Sequence, residues 1–175
     1  HHLPEYYNKW LKMAGLQDRS QAKTFIYGFL YGAGNEKIGQ IIGKGAKEGG
    51  QIKKRFLAKT PALKKLTEPL NNRLEQQHGD KFINGLDGRL IPIRHPHAAL
   101  NTLLQSAGAI ICKKWYATVE NMIRHEGYTS EEVSIVAFVH DEVQILVKKG
   151  LEDEIGGITK AAIKETERAF NFKCP

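Results

Sequence analysis

Two short stretches, FINGLDGRLIPIR at residues 82–94 and SIVAFVHDEVQILV at 134–147, interrupt a chain that otherwise reads as helix. In the first, Asp87-Gly88 between apolar runs is a hairpin signal. In the second, two β-type runs flank His140-Asp141-Glu142. The rest keeps helical spacing. Residues 4–17 read as a short amphipathic helix with Trp10, Leu11 and Leu16. Asp18 or Ser20 can cap a helix that runs to about Leu30 and ends at Gly32 and Gly34. A short helix over 35–42 follows, with Ile38, Ile41 and Ile42 apolar. Gly43, Gly45, Gly49 and Gly50 then suggest a loosened basic stretch. Residues 51–77 read as helix with breaks near Pro61 and Pro69. A long helix spans Pro96 to Gly127, and a last one 151–170, whose Glu152, Asp153 and Glu154 suit its positive end. Helices, hairpin, long helix, hairpin and helix in that order give an α+β fold.

The length, 175 residues, suggests one domain or two small lobes sharing a core. A hydrophobic content of 41% is enough for a packed interior. No apolar run approaches the length of a membrane span. Cys112 and Cys174 make no disulfide framework, and no Cys/His cluster has zinc spacing. A reducing, cytoplasmic setting fits. The net charge of +7 suits a polyanionic partner, or simply a basic protein without one.

RSQAKTFIYGFLYGAG, residues 19–34, places Arg19, Lys23, Tyr27 and Tyr31 four apart. On a helix they form one polar ladder, with Ala22, Phe25, Ile26, Phe29 and Leu30 on the adjoining arc. Cations in a first turn oppose the helix dipole, and a bound anion would remove that penalty. Arg offers a planar fork and Lys a point charge, both suited to phosphate. The tyrosines offer flat faces to a sugar or base. Taken alone, such a stripe is more often a solvated basic face.

Adjacent carboxylates at Asp141 and Glu142 are costly if dry and unpaired, and sensible if a divalent cation sits there. Mg²⁺ takes oxygen ligands, commonly one or two carboxylates plus substrate phosphate. An isolated His-Asp-Glu is more often an exposed acidic turn. On the long helix, Asn101 and Gln105 lie one turn apart. Their amides both donate and accept, which suits the acceptors of a DNA minor groove or ordinary helix polarity. GQIIGKG at 39–45 imitates a phosphate loop, but its spacing fails and Gly45 stands where Ser or Thr is needed. It reads as a basic hinge. Cys112, Trp115 and Tyr116 read as packing residues.

R-x-x-x-K-T-F-I-Y-G-F-L-Y-G, the V-H-D-E block and N-x-x-x-Q, in this order, together resemble the family A DNA polymerases, and within them the replicative enzymes of short-tailed bacteriophages. The resemblance covers roughly residues 18–175. It implies a mostly helical fingers subdomain at 1–96, including the hairpin near 82–94. A partial palm follows at 97–175, with the long helix and the hairpin that carries His140, Asp141 and Glu142. By resemblance, Arg19 and Lys23 hold the phosphates of an incoming dNTP. Tyr27 packs on its sugar and Tyr31 lies on the templating side. Asp141 ligates the catalytic metals, two Mg²⁺ ions in the complete enzyme, and Glu142 supports them. Asn101, Gln105 and His140 contact primer-template DNA.

The resemblance also implies an aspartate-bearing palm block of the form D-x-S-x-x-E, which these residues do not contain; Asp18, Asp80 and Asp87 read as cap, loop and turn. No thumb or exonuclease domain is recognisable, and NFKCP falls short of a final palm strand. The expectation is therefore a polymerase fragment that is inactive by itself, with dNTPs, primer-template DNA and a second chain carrying the missing palm and thumb as its partners, and no membrane. The alternative is a non-catalytic nucleic-acid-binding module with a polymerase-like fold.

Overall fold

The computed structural model describes Leu16, residues 18–140 and residues 142–173. The helix expected over 4–17 therefore lies outside the described residues, Leu16 excepted. The chain divides into two compact units. One runs to Gly85 and adds Arg89–Leu104; the other takes Leu86–Gly88 and the chain from Gln105 onward.

In the first unit, α1 spans Arg19–Leu30, α2 Asn35–Ile41, α3 Ala46–Lys59 and α4 Pro61–Gln76. Asp18 caps α1 by accepting the Gln21 N–H at 2.8 Å, satisfying one orphan donor of the first turn. The apolar arc of α1 meets α2 and α3. Ala22, Phe25, Ile38, Ile52 and Phe56 form a buried cluster. Phe25 and Phe56 pack edge to face at 5.1 Å between centroids, and Phe29 meets Phe56 at 5.0 Å. A second cluster joins Leu70 and Leu74 of α4 to Ile83, Ile93, Ala99 and Leu100.

Two expectations in this unit are corrected. The glycine-rich stretch is not loosened: α3 starts directly after Gly45. A Cβ on Gly49 would stand 1.9 Å from the Asn35 carbonyl oxygen, and one on Gly39 would stand 2.1 Å from that of Gly45. These glycines let α2 and α3 touch backbone to backbone. Pro61 separates α3 from α4, as its ring requires, but Pro69 lies inside α4 and does not break it. Leu70 and Leu74 bury their side chains from that helix, and Pro69 lies on its exposed face. The carbonyl that loses its donor belongs to exposed Lys65, where water can replace it.

Strands β1 (Lys81–Asn84) and β2 (Leu90–Ile93) form the first hairpin, antiparallel from Lys81 opposite Ile93 to Asn84 opposite Leu90. The Gly85 N–H donates to the Arg89 carbonyl at 2.8 Å, and Gly88 takes φ +83° in the turn. Gln77 extends the pattern: its amide donates to the Phe82 carbonyl at 2.9 Å and its carbonyl accepts the Phe82 N–H at 2.7 Å. A 3-10 turn, Pro96–Ala98, leads into α5, Ala99–His125.

In the second unit, β3 (Val133–Val139) pairs antiparallel with β4 (Glu142–Val147), and α6 (Glu152–Phe170) follows. The register slips between Ile135 and Ala137, leaving exposed Val136 as a bulge. Val119 and Ile123 of α5 pack with Val133, Ile155, Ile158 and Ala162. The Trp115 indole N–H donates to the Thr159 carbonyl at 3.0 Å, and Tyr116 packs on Phe138 at 5.3 Å, so both aromatics serve packing as expected. The observed order of elements is the expected α+β pattern, and no helix among the described residues is long and apolar enough to cross a membrane.

Candidate active site

Burial of Ala22 and Phe25 turns the opposite face of α1 to solvent. Arg19 and Lys23 are exposed there, and Tyr27 and Tyr31 keep 51% and 56% of their surface, enough for a flat ligand to cover. Lys23, Tyr27 and Tyr31 share a cleft of about 420 Å³, completed by Thr24, Gly28, Lys37 and Ile41. The Lys23 ammonium lies 6.0 Å from the centroid of the Tyr27 ring, at the outer limit of a cation–π contact. Three of the four ladder residues thus line one concavity. Arg19 stands a turn earlier, at the helix start.

Lys37 was not singled out from the sequence. It sits on α2 beside buried Ile38, and it brings a second cation to the cleft from the opposite wall. Its signal was weak, one cation in a seven-residue helix read only for its apolar pattern.

The end of α1 is fixed from two sides. Gly32 takes φ +74°, and a Cβ there would stand 1.9 Å from the His97 carbonyl oxygen. The Lys53 ammonium donates to the Ala33 carbonyl in the same turn, and partial burial lowers the Lys53 pKa. Tyr31, the C-cap residue, is therefore held at a defined height against the 3-10 turn. The rings of His95 and His97, at the start of and within that 3-10 turn, stack at 5.4 Å between centroids.

In the second unit, Val139 pairs with Glu142, so only two residues of sequence separate β3 from β4. His140 has φ +57°, as tight two-residue connections favour. Its ring is exposed, as is Glu142, whose Oε1 accepts the Gln144 amide at 3.1 Å. Asp141 itself lies outside the described residues. On α5, Asn101 is half-buried and Gln105 exposed, one turn apart. Among the described residues no three His, Cys, Asp or Glu side chains gather as a metal cage. The donors at this bend, a carboxylate of Glu142 and in sequence that of Asp141, are the hard oxygens that suit Mg²⁺.

The family model for DNA polymerase family A matches residues 5–175. This chain belongs to DNA polymerase family A. It is 45% identical over 179 residues to the DNA-directed DNA polymerase of Escherichia phage T7, and 43% identical over 176 residues to that of Enterobacteria phage T3. Each match takes in 92% of this chain. The chain spans about a quarter of the length of these curated relatives, 25% in both cases. Among solved structures, the POL domain of Pol1 from M. smegmatis, in complex with DNA primer-template and dNTP, matches with a TM-score of 0.70. That match has 18% identity and covers 85% of this chain and 27% of the other. It shows that this family A member shares a polymerase-domain fold.

Proposed function

We propose that this chain is the fingers, residues 1–96, and part of the palm, residues 97–175, of a template-directed DNA polymerase. The reaction is attack of a primer 3′-hydroxyl on the α-phosphate of a dNTP, with release of pyrophosphate. The observation that carries the reading is the cleft in which Lys23, Tyr27 and Tyr31 stand together on the exposed face of α1. Cation and aromatic faces side by side fit a triphosphate joined to a sugar and base.

Arg19 and Lys23 bind the triphosphate, Tyr27 packs on the sugar, and Tyr31 lies on the templating side. Gly32 and Lys53 hold Tyr31 in place from below. Asn101, Gln105 and His140 contact the primer-template duplex. Asn101 and Gln105 read acceptors that every base pair presents in the minor groove, so their contacts are sequence-neutral. Asp141 holds Mg²⁺ with Glu142 beside it; bound there, two such ions would acidify the primer hydroxyl and stabilise charge on the phosphate. The phage relatives are named DNA-directed DNA polymerases, and the Pol1 structure holds primer-template and dNTP, which supports the same partners here.

The test is nucleotide incorporation by the purified chain mixed with the remainder of a phage relative's polymerase supplied as a separate polypeptide. Incorporation that Asp141→Asn abolishes supports the reading. A mixture that binds primer-template but incorporates nothing, with or without Asp141, favours the non-catalytic binding module.

A further inference from the structure

The segment from Lys44 to Lys65 holds eight Lys and Arg residues and one acid, Glu48. That surplus of seven equals the net charge of the whole chain, so the remainder is neutral. The charge concentrates on α3. Lys47, Lys54, Arg55 and Lys59 are all exposed, and at 100° per residue they fall within an arc of about 140°. Glu48 falls within the same arc, and Gly49, Ile52 and Phe56 bury the adjoining side of the helix. From Lys47 to Lys59 the stripe is about 18 Å long.

On other helices several cations are paired within the helix. Lys64 pairs with Glu68 on α4 at 3.5 Å, Arg124 with Glu120 on α5 at 2.7 Å, and Arg168 with Glu165 on α6 at 2.8 Å. No ion pair or hydrogen bond of the described residues engages the side chains of Lys47, Lys54, Arg55 or Lys59. The one acid of α3, Glu48, is in its first turn with a carboxylate oxygen beside Gly45 at the helix start. Four like charges on one face repel one another, and burial of Phe56 and Ile52 does not require them. Polar uncharged residues would keep α3 as soluble without that repulsion.

We infer that the outer face of α3 is a binding surface for the backbone of single-stranded nucleic acid, separate from the cleft on α1. The face carries no exposed aromatic side chain, so it reads phosphate and not base. Charge complementarity selects a polyanion. The choice of DNA rests on the function proposed above, in which an uncopied template must arrive as a single strand.

The experiment measures binding of a fluorescein-labelled oligothymidylate to the 175-residue chain across a salt series. Each single-strand phosphate neutralised contributes about 0.7 to the slope of log Kobs against log salt. Replacing all four cations (K47Q, K54Q, R55Q, K59Q) should lower the slope magnitude by up to about 3 and low-salt affinity by about tenfold or more. The variant K47R/K54R/K59R should keep both. Should the fourfold variant fail to fold, K47Q/R55Q and K54Q/K59Q replace it, each removing about half of the slope change. An unchanged slope overturns the inference. So does an equal or larger effect on a blunt duplex, or α3-dependent binding of polyglutamate in place of the oligonucleotide. The dNTP affinity of the α3 variants should match the parent chain. If Lys23→Ala leaves dNTP binding intact while the α3 slope falls, the proposed nucleotide cleft fails and the α3 surface stands.

Discussion

Gly32 and Gly79 hold nearly the same backbone conformation, φ +74° and +76°, in different surroundings. A Cβ on Gly79 would meet nothing within 4 Å, whereas one on Gly32 would stand 1.9 Å from the His97 carbonyl oxygen and 2.7 Å from its carbon. Alanine at either site pays the left-handed penalty, about 1–2 kcal/mol. Only Gly32→Ala adds a backbone clash, for which forced overpacking costs about 1–3 kcal/mol. The expected destabilisation is thus about 2–5 kcal/mol for Gly32→Ala and about 1–2 for Gly79→Ala. Urea unfolding followed by far-UV circular dichroism measures both, with hydrogen exchange at α1 amides reporting on the first unit. Since total stability of a small domain is only about 5–15 kcal/mol, the larger value is easily resolved. Equal costs at the two sites would refute the close approach of the α1 terminus to the 3-10 turn, and with it the account of how Tyr31 is held.

The remaining predictions concern the core, the acid limb and the activity. Phe56→Ala, which removes a buried ring between Phe25 and Phe29, should cost about 3–5 kcal/mol in urea unfolding; a loss below about 1 would contradict the packing. Gly157→Ala, in α6 with open space around it, should instead stabilise by up to about 1 kcal/mol, and a destabilised variant would show that α6 is more crowded than described. The Glu132 carboxyl is held below its usual range first by the Thr129 backbone N–H, at 3.2 Å, then by the Thr129 hydroxyl, with Lys148 adding to it. A lowered folded-state pKa contributes stability above the unfolded value, near 4.5, that is lost as pH falls through the folded value. Glu132→Gln should therefore flatten the acid limb of the stability profile below about pH 4.5, and an unaltered limb would sink the assignment. The 175-residue chain alone should give no primer extension with Mg²⁺ and dNTPs, since its residues contain no D-x-S-x-x-E block; extension by the pure chain would overturn that expectation.

Local chemistry was legible wherever a residue acts on its own neighbours. Asp87-Gly88 gave a turn because Gly88 needs positive φ, Asp18 a cap because its carboxylate reaches the Gln21 N–H, and Pro61 a boundary because it suits a first helical position. What failed depended on distant partners. Pro69 looked like a break, yet Leu70 and Leu74 on either turn bury enough apolar surface to carry the helix past one missing hydrogen bond. Gly39 and Gly49 looked like slack, but their glycines answer to Gly45 and Asn35 across a helix contact that spacing along the chain does not encode. At the site, the ladder was legible because a helix fixes side chains four apart on one face. Lys37 was not, since the cleft it completes exists only once α2 folds back on α1.

The most direct test of the nucleotide cleft is a titration of the chain with a dNTP, read by amide and side-chain NMR shifts, for the parent and for Lys23→Ala. Hydrogen bonds between charged partners contribute about 1.5–3 kcal/mol, so loss of the ammonium should weaken binding by about tenfold or more. Shifts in the parent should concentrate on Lys23, Tyr27, Tyr31 and Lys37. An unchanged affinity in Lys23→Ala, or shifts that leave those four residues untouched, would contradict the account.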